Sequence, residues 1–217
     1  MLVLVLVGLA FLAYMAKSID ADAPRSAVEY QMRRAQELVD ADSNDMDAWL
    51  ALGAAQSDAG SYSAAIGSLT KVLEADPENE TAWVELGQVY RRRGDDDAAI
   101  EAYENALKWA QQALADRRAE LEAKDITEPL IMPDAGARAC IALARLYSER
   151  GDYDKARASA QTLIDDNPMD AAALIALAEV EEAAGDIEAA VVAYRQAQKY
   201  LPNDPDVASA LTRLGAE

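Results

Sequence analysis

The sequence predicts an all-α fold, a solenoid of paired helices, from three observations. Like residue types recur at one fixed spacing: Trp49 and Trp83 stand 34 residues apart, as do Gly53 and Gly87, Gly60 and Gly94, and Ala65 and Ala99. After an interruption the same frame resumes in Gly151 and Gly185, Ala156 and Ala190, and Pro168 and Pro202. Within a unit the apolar residues keep helical spacing, as Trp83, Leu86 and Tyr90 do at i, i+3 and i+7. A period of this length marks stacked helical units, each of which buries its apolar face only against its neighbours.

Read in that frame, the units run 46–79, 80–113, 137–170 and 171–204, each with two helices. Gly53 and Gly87, matched by Ala144 and Ala178, carry little or no side chain, so the second helix can cross closely. Gly60, Gly94, Gly151 and Gly185 end the first helix, where a left-handed residue is commonly needed. Ala65, Ala99, Ala156 and Ala190 allow close approach in the second helix, and Pro77, Pro168 and Pro202 stop it.

These residues resemble the tetratricopeptide repeat (TPR) family, whose pattern is W-x2-L-G-x2-Y, then A-x3-F, then P. The sequence departs from that pattern where Cys140 and Leu174 replace the Trp, Gln56 and Glu181 the Tyr, and Gln111 the Pro. The resemblance covers the four units and implies a scaffold that binds protein. The flanks fit a solenoid. Within the linker and cap at 20–45, residues 25–42 read as a helix covering the first unit, and 205–217 as a short closing helix over the last.

Composition narrows the function further. Acidic residues outnumber basic ones 39 to 20, a net charge of −19, which argues against non-specific nucleic-acid binding and against anionic lipid surfaces. Much of the acid is Asp at helix starts, where the helix dipole favours it. The chain has no histidine, which removes Ser-His-Asp and Cys-His catalysis and His-ligated metal sites. The single cysteine, Cys140, takes the Trp position and reads as a buried, inert thiol. No phosphate-binding loop or other catalytic motif is present, so the expectation is a non-enzyme without cofactor, metal or small-molecule substrate.

Residues 1–16, MLVLVLVGLAFLAYMA, contain no charged side chain. Extended to Ile19, the run gives about 28 Å of helix, near the thickness of the hydrocarbon core. A signal peptide should open with basic residues, and none precede the run. A core helix is unneeded, since a cap already stands before the first unit. The expectation is an N-terminal transmembrane helix over 1–19. Lys17 and Arg25 follow the span and lean the repeats slightly toward the cytoplasm. Against that, the layout resembles anchored TPR subunits of cytochrome c maturation machinery, whose repeats lie outside the cytoplasm.

The third unit is delayed by an insertion at 114–136, LADRRAELEAKDITEPLIMPDAG. Gln111 stands where Pro would stop the helix, so Leu107, Ala110, Leu114, Arg118 and Leu121 continue on one side of a long helix. A Pro-bracketed apolar loop follows, with Leu130, Ile131 and Met132 between Pro129 and Pro133. Two readings stand for it: these side chains dock a partner, or they fold back over surface exposed by the break.

In the family it resembles, positions 2, 5, 9, 12 and 13 of each repeat line a concave groove. Here the second unit gives Thr81, Val84, Gln88, Arg91 and Arg92, and the third gives Arg138, Ile141, Arg145, Ser148 and Glu149. The first unit contributes Asp58 and the fourth Glu179 and Glu182. Four arginines thus meet in mid-groove, and arginine forks suit carboxylates, so an acidic or carboxylate-ended peptide is the expected ligand. For Arg91 and Arg92 a structural role competes, because cations favour a helix end; Arg138 stands near a helix start. The Lys and Asn that clamp chaperone tails in some relatives are replaced by Leu50 and Ala54. The groove residues taken as candidates are Gln88, Arg91, Arg92, Arg138, Ile141 and Arg145, with Leu130, Ile131 and Met132 of the loop. The reading is a membrane-anchored adaptor or accessory subunit of a membrane complex. The alternative is an extracytoplasmic chaperone holding extended segments for cytochrome c maturation or secretion.

Overall fold

A computed structural model of the protein describes residues 26–216. Ten α-helices follow one another among them: α1 (Ala27–Ala41), α2 (Met46–Asp58), α3 (Tyr62–Ala75), α4 (Glu80–Arg93), α5 (Asp96–Ala123), α6 (Asp134–Glu149), α7 (Tyr153–Asp166), α8 (Ala171–Ala184), α9 (Ile187–Tyr200) and α10 (Pro205–Arg213). Each helix packs chiefly on its sequence neighbours, and first helices also touch the first helix of the next repeat, α4 on α6 and α6 on α8. No helix among the described residues is long and apolar enough to cross a membrane. The transmembrane span expected over 1–19 lies outside the described residues.

Local chemistry sets the boundaries. Asp45, Asn79 and Asp170 each cap a first helix, their side chains accepting from the backbone N–H of Ala48, Ala82 and Ala173 at 2.9–3.0 Å. Replacing such a cap by Ala costs about 1 kcal/mol. Gly94 and Gly185 close α4 and α8 with φ of 83° and 84°, a left-handed conformation that a Cβ disfavours. Trp49 and Trp83 donate from Nε1 to the carbonyls of Ser43 and Pro77, pinning each helix start to the turn before it.

The core is thin and built on small residues. Ala65, Ala99, Ala156 and Ala190 are completely buried where second helices cross first ones. Gly53 and Gly87 face large side chains: an added Cβ would lie 2.7 Å from Leu69 Cγ and 2.7 Å from Tyr103 Cε1. Cys140 and Leu174, the two replacements for Trp, are both buried. Burial pushes the Cys140 thiol up to about 12, which keeps it protonated and unreactive.

The insertion alters one repeat. With Gln111 in place of proline, α5 runs 28 residues, twice the 14 of α3, α7 and α9. It ends at Ala123 with Lys124 as its cap; Asp125 then adopts a left-handed φ of 54° and Ile126 N–H donates to the Leu121 carbonyl at 2.9 Å. Pro133 precedes α6, which begins at Asp134, three residues before the periodic frame places it. Gly136 then lies against the Ala110 side chain and Met132, so the delayed helix still seats closely on α5.

Candidate functional site

The concave groove is lined by the first helices α2, α4, α6 and α8, and its middle is a 280 Å³ concavity lined by Gln88, Arg91, Arg92, Tyr103, Ala142 and Arg145. Four of the six residues expected in the groove meet there. Arg138 and Ile141 stand outside this lining. Arg138 is nearer the start of α6 and donates from Nη2 to Glu85 Oε1 at 2.7 Å. Ile141 is half-buried and packs against the core.

Every groove arginine meets a carboxylate of an adjacent repeat. Arg91 grips Glu149 with two bonds, at 2.7 and 2.6 Å. Arg92 uses Nη1 for Ser57 Oγ and Asp58 Oδ1, and Arg145 uses Nε for Glu179 Oε2. Further along, Arg213 bonds Glu182. The result is a ladder of ion pairs across the groove. All these side chains are about two-fifths to half exposed except Glu182 and Glu85, so most rungs are worth under about 1 kcal/mol to stability. The bidentate pair leaves a mark on both partners. The hydrogen bond from Arg91 lowers the Glu149 carboxyl below its usual value, and the bond to Glu149 raises the Arg91 guanidinium.

Donors remain in the concavity after these pairs are made. Arg92 has no partner among the described residues for Nε and Nη2, nor has Arg145 for Nη1 and Nη2. The Tyr103 hydroxyl has no hydrogen bond among them either. Burial pushes that phenol up to about 12, so it is present as a neutral donor. Arg91 differs, because Glu149 already occupies both its terminal nitrogens. Chemically the concavity can accept a carboxylate in a fork between Arg92 and Arg145, with Gln88 and Tyr103 alongside.

Sequence spacing alone missed two members. Glu85 occupies position 6 of its repeat, outside the five groove positions, and meets Arg138 only across the repeat boundary. Tyr103 belongs to a second helix and reaches the groove because Gly87 leaves room for its ring. The available signal was the glycine that each of the first two repeats sets opposite a large side chain, Leu69 in one and Tyr103 in the other.

In the inserted loop the three apolar residues part ways. Met132 is half-buried against the cluster containing Cys140, Leu163 and Ala173, and its N–H donates to Asp166 Oδ2 at 2.6 Å. Leu130 is half-buried, while Ile131 is 66% exposed. Met132 thus folds back onto the break, and Ile131 is left facing solvent.

Paired antiparallel helices stacked on a 34-residue frame, with first helices lining one concave face, define a helical-repeat scaffold. The family model for the tetratricopeptide repeat matches residues 50–119 and 141–212, and the chain belongs to that family. The fold is therefore that of a protein–protein interaction scaffold. Solved structures align along most of their length. A crystal structure of MamA is 22% identical with a TM-score of 0.61, covering 86% of this chain and 93% of that one. MamA from Desulfovibrio magneticus RS-1, residue 41 to the end, is 19% identical with a TM-score of 0.59, covering 83% and 89%. TTC0263, a thermophilic TPR protein of Thermus thermophilus, is 18% identical with a TM-score of 0.60, covering 83% and 89%. At such identities the likeness carries the fold. No curated protein matches the chain.

Proposed function

We propose that this protein is an adaptor, or accessory subunit of a membrane complex, that holds an acidic segment of a partner protein in the middle of its groove. The observation that carries the reading is the set of unused donors on Arg92, Arg145 and Tyr103 around one concavity. Arginine forks bind carboxylates in charge-assisted, geometrically specific pairs. Residues 1–19 serve as the membrane anchor in this proposal, supported by their length and by the absence of any charge before Lys17. Ile131, exposed just ahead of the third repeat, offers a second, apolar contact.

The test is purification of the tagged full chain in mild detergent, with identification of co-purifying chains, for wild type, Arg92→Gln and Arg145→Gln. The partner recovered with wild type is expected to fall away with either variant. Undiminished recovery with both would remove the central concavity as the docking site.

A further inference from the structure

On the second-helix side of the solenoid the same place recurs at the boundaries between repeats. Between the first and second repeats it is a 410 Å³ pocket among α3, α4 and α5, walled by Trp83, Leu86, Tyr90 and Ala98, with Glu74 and Glu101 in its lining. Between the third and fourth, a 590 Å³ pocket is lined by the corresponding residues, among them Leu174, Leu177, Glu181 and Ala189. α4 thus serves two faces. Gln88, Arg91 and Arg92 line the central concavity, and Trp83, Leu86 and Tyr90 line this pocket.

The boundary between the second and third repeats shows what such a place can hold. There Tyr147 takes the position of Tyr90 and Lys155 the position of Ala98, each one repeat and the insertion further on. The Lys155 ammonium stands over the Tyr147 ring, 5.0 Å from its centroid, and pairs with Asp152 at 3.3 Å. A cation over an aromatic face is attracted by the negative face of the ring. Between the first two repeats Ala98 is too short to repeat this contact. Tyr90 is accordingly half-buried where Tyr147 is buried. The Glu101 carboxylate has no partner among the described residues, and Glu74 meets the exposed Lys71 at 2.7 Å. Arg93 also stands over the Tyr90 ring, at 5.0 Å, but it bonds Asp95 and does not line the pocket. The larger pocket lacks these features: Leu174 and Glu181 replace the aromatic pair, and Arg157 already grips Glu181.

We propose that the pocket between the first two repeats takes a lysine side chain of a partner protein. Its alkyl stem lies against Trp83 and Leu86, and its ammonium stands over Tyr90 beside Glu101, as Lys155 stands over Tyr147. The segment that docks here is therefore basic, opposite in charge to the one proposed for the central groove. A second copy is a poor donor. Two chains of net charge −19 repel, and among the described lysines Lys71, Lys124 and Lys155 are held in ion pairs and Lys108 over Trp109. The pocket lies across α4 from the central concavity, and its failure would leave the groove reading untouched.

The probe is acetyl-Ala-Lys-Ala-amide, titrated against the full chain in non-ionic detergent with isotope-labelled tryptophan and followed by the indole N–H resonances. The signal missing from Trp83→Phe is expected to shift and to saturate at millimolar probe. Glu101→Gln and Tyr90→Leu should each weaken binding about threefold to fivefold, the scale of a partly exposed ion pair or cation–π contact. A norleucine probe, which keeps the stem and loses the charge, should bind at least about fivefold more weakly. Ala98→Lys installs the lysine that the third repeat already carries, and should abolish binding while leaving thermal unfolding unchanged. Absence of a saturable shift, equal binding of the norleucine probe, indifference to both Glu101→Gln and Tyr90→Leu, or full binding by Ala98→Lys overturns the proposal. Tighter binding by Arg93→Gln or Lys17→Gln would place one of the chain's own cations in the pocket. Self-association of the chain alone, abolished by Ala98→Lys, would place a second copy there. In either case the partner assignment falls.

Discussion

Gly87 and Gly67 invite the same substitution with opposite results. Both lie inside helices, α4 and α3, so replacing either by alanine gains about 0.5–1 kcal/mol from reduced backbone entropy in the unfolded chain. Gly67 has nothing within 4 Å of an added Cβ, so Gly67→Ala should stabilise by that amount. At Gly87 the new atom would sit 2.7 Å from Tyr103 Cε1 and 2.8 Å from Cδ1 and Cζ. Carbon pairs are comfortable at about 3.5 Å, so the ring must retreat by about 0.8 Å. Tyr103 is only 4% exposed and packs against the central core cluster, which leaves its flat face little freedom. Overpacking of this kind costs about 1–3 kcal/mol, which exceeds the propensity gain. The helix term is common to both variants, so the difference between them isolates the steric cost. Urea unfolding followed by circular dichroism measures it: the midpoint should rise for Gly67→Ala and fall for Gly87→Ala. If Gly87→Ala raised the midpoint as much as Gly67→Ala, close packing at that crossing would not be what demands the glycine.

Three further outcomes can be checked. The Glu149 carboxyl is lowered by Arg91 from its ordinary 4.5, so its contribution is fully present above that value and disappears as pH falls through the folded value. Glu149→Gln should therefore cost at most about 1 kcal/mol near neutrality, with the gap to wild type closing in acid; a gap constant down to full protonation would contradict the pairing. Cys140, buried with its thiol raised to about 12, should ignore Ellman's reagent in the native protein and react fully in denaturant, so rapid native labelling would refute its burial. In the loop, Met132→Ala should destabilise by about 1–2 kcal/mol because a half-buried side chain leaves the core, while Ile131→Ala stays within about 0.5 kcal/mol; equal urea midpoints for the two variants would argue against the folded-back loop.

The repeat was legible because each consensus residue answers a local demand. Gly94 and Gly185 supply left-handed turns, Asp45 and Asn79 cap helices, and the alanines at crossings tolerate contact with a neighbouring helix. The extended α5 was legible too, since the missing proline at Gln111 removes the stop signal. The start of α6 at Asp134 was harder to place, because Pro133 sets it rather than any repeat residue. Within the groove, the sequence placed Gln88, Arg91, Arg92 and Arg145 near one another and Asp58, Glu149 and Glu179 on the same face, but did not say which charge meets which. Glu149 lies 58 residues from Arg91 and Glu85 lies 53 from Arg138, separations at which only packing of one repeat on the next decides who meets whom.

By itself the sequence determined the class of protein, the register of its helices and the face on which the first helices lie, because a short period repeats the same local physics in every unit. It also marked the amino-terminal apolar run and the insertion as departures from that period. Only the tertiary structure decided which charges remain available. It turned four groove arginines into one fully engaged fork at Arg91, a pair at Arg138 outside the concavity, and two partly free guanidiniums at Arg92 and Arg145. It also left Leu38 of α1 exposed, although the position one period on, Val72, is buried. The reason is the same in both cases. Periodicity fixes what each helix presents, whereas the satisfaction of a charge or the cover of an apolar side chain depends on what stands opposite it in space.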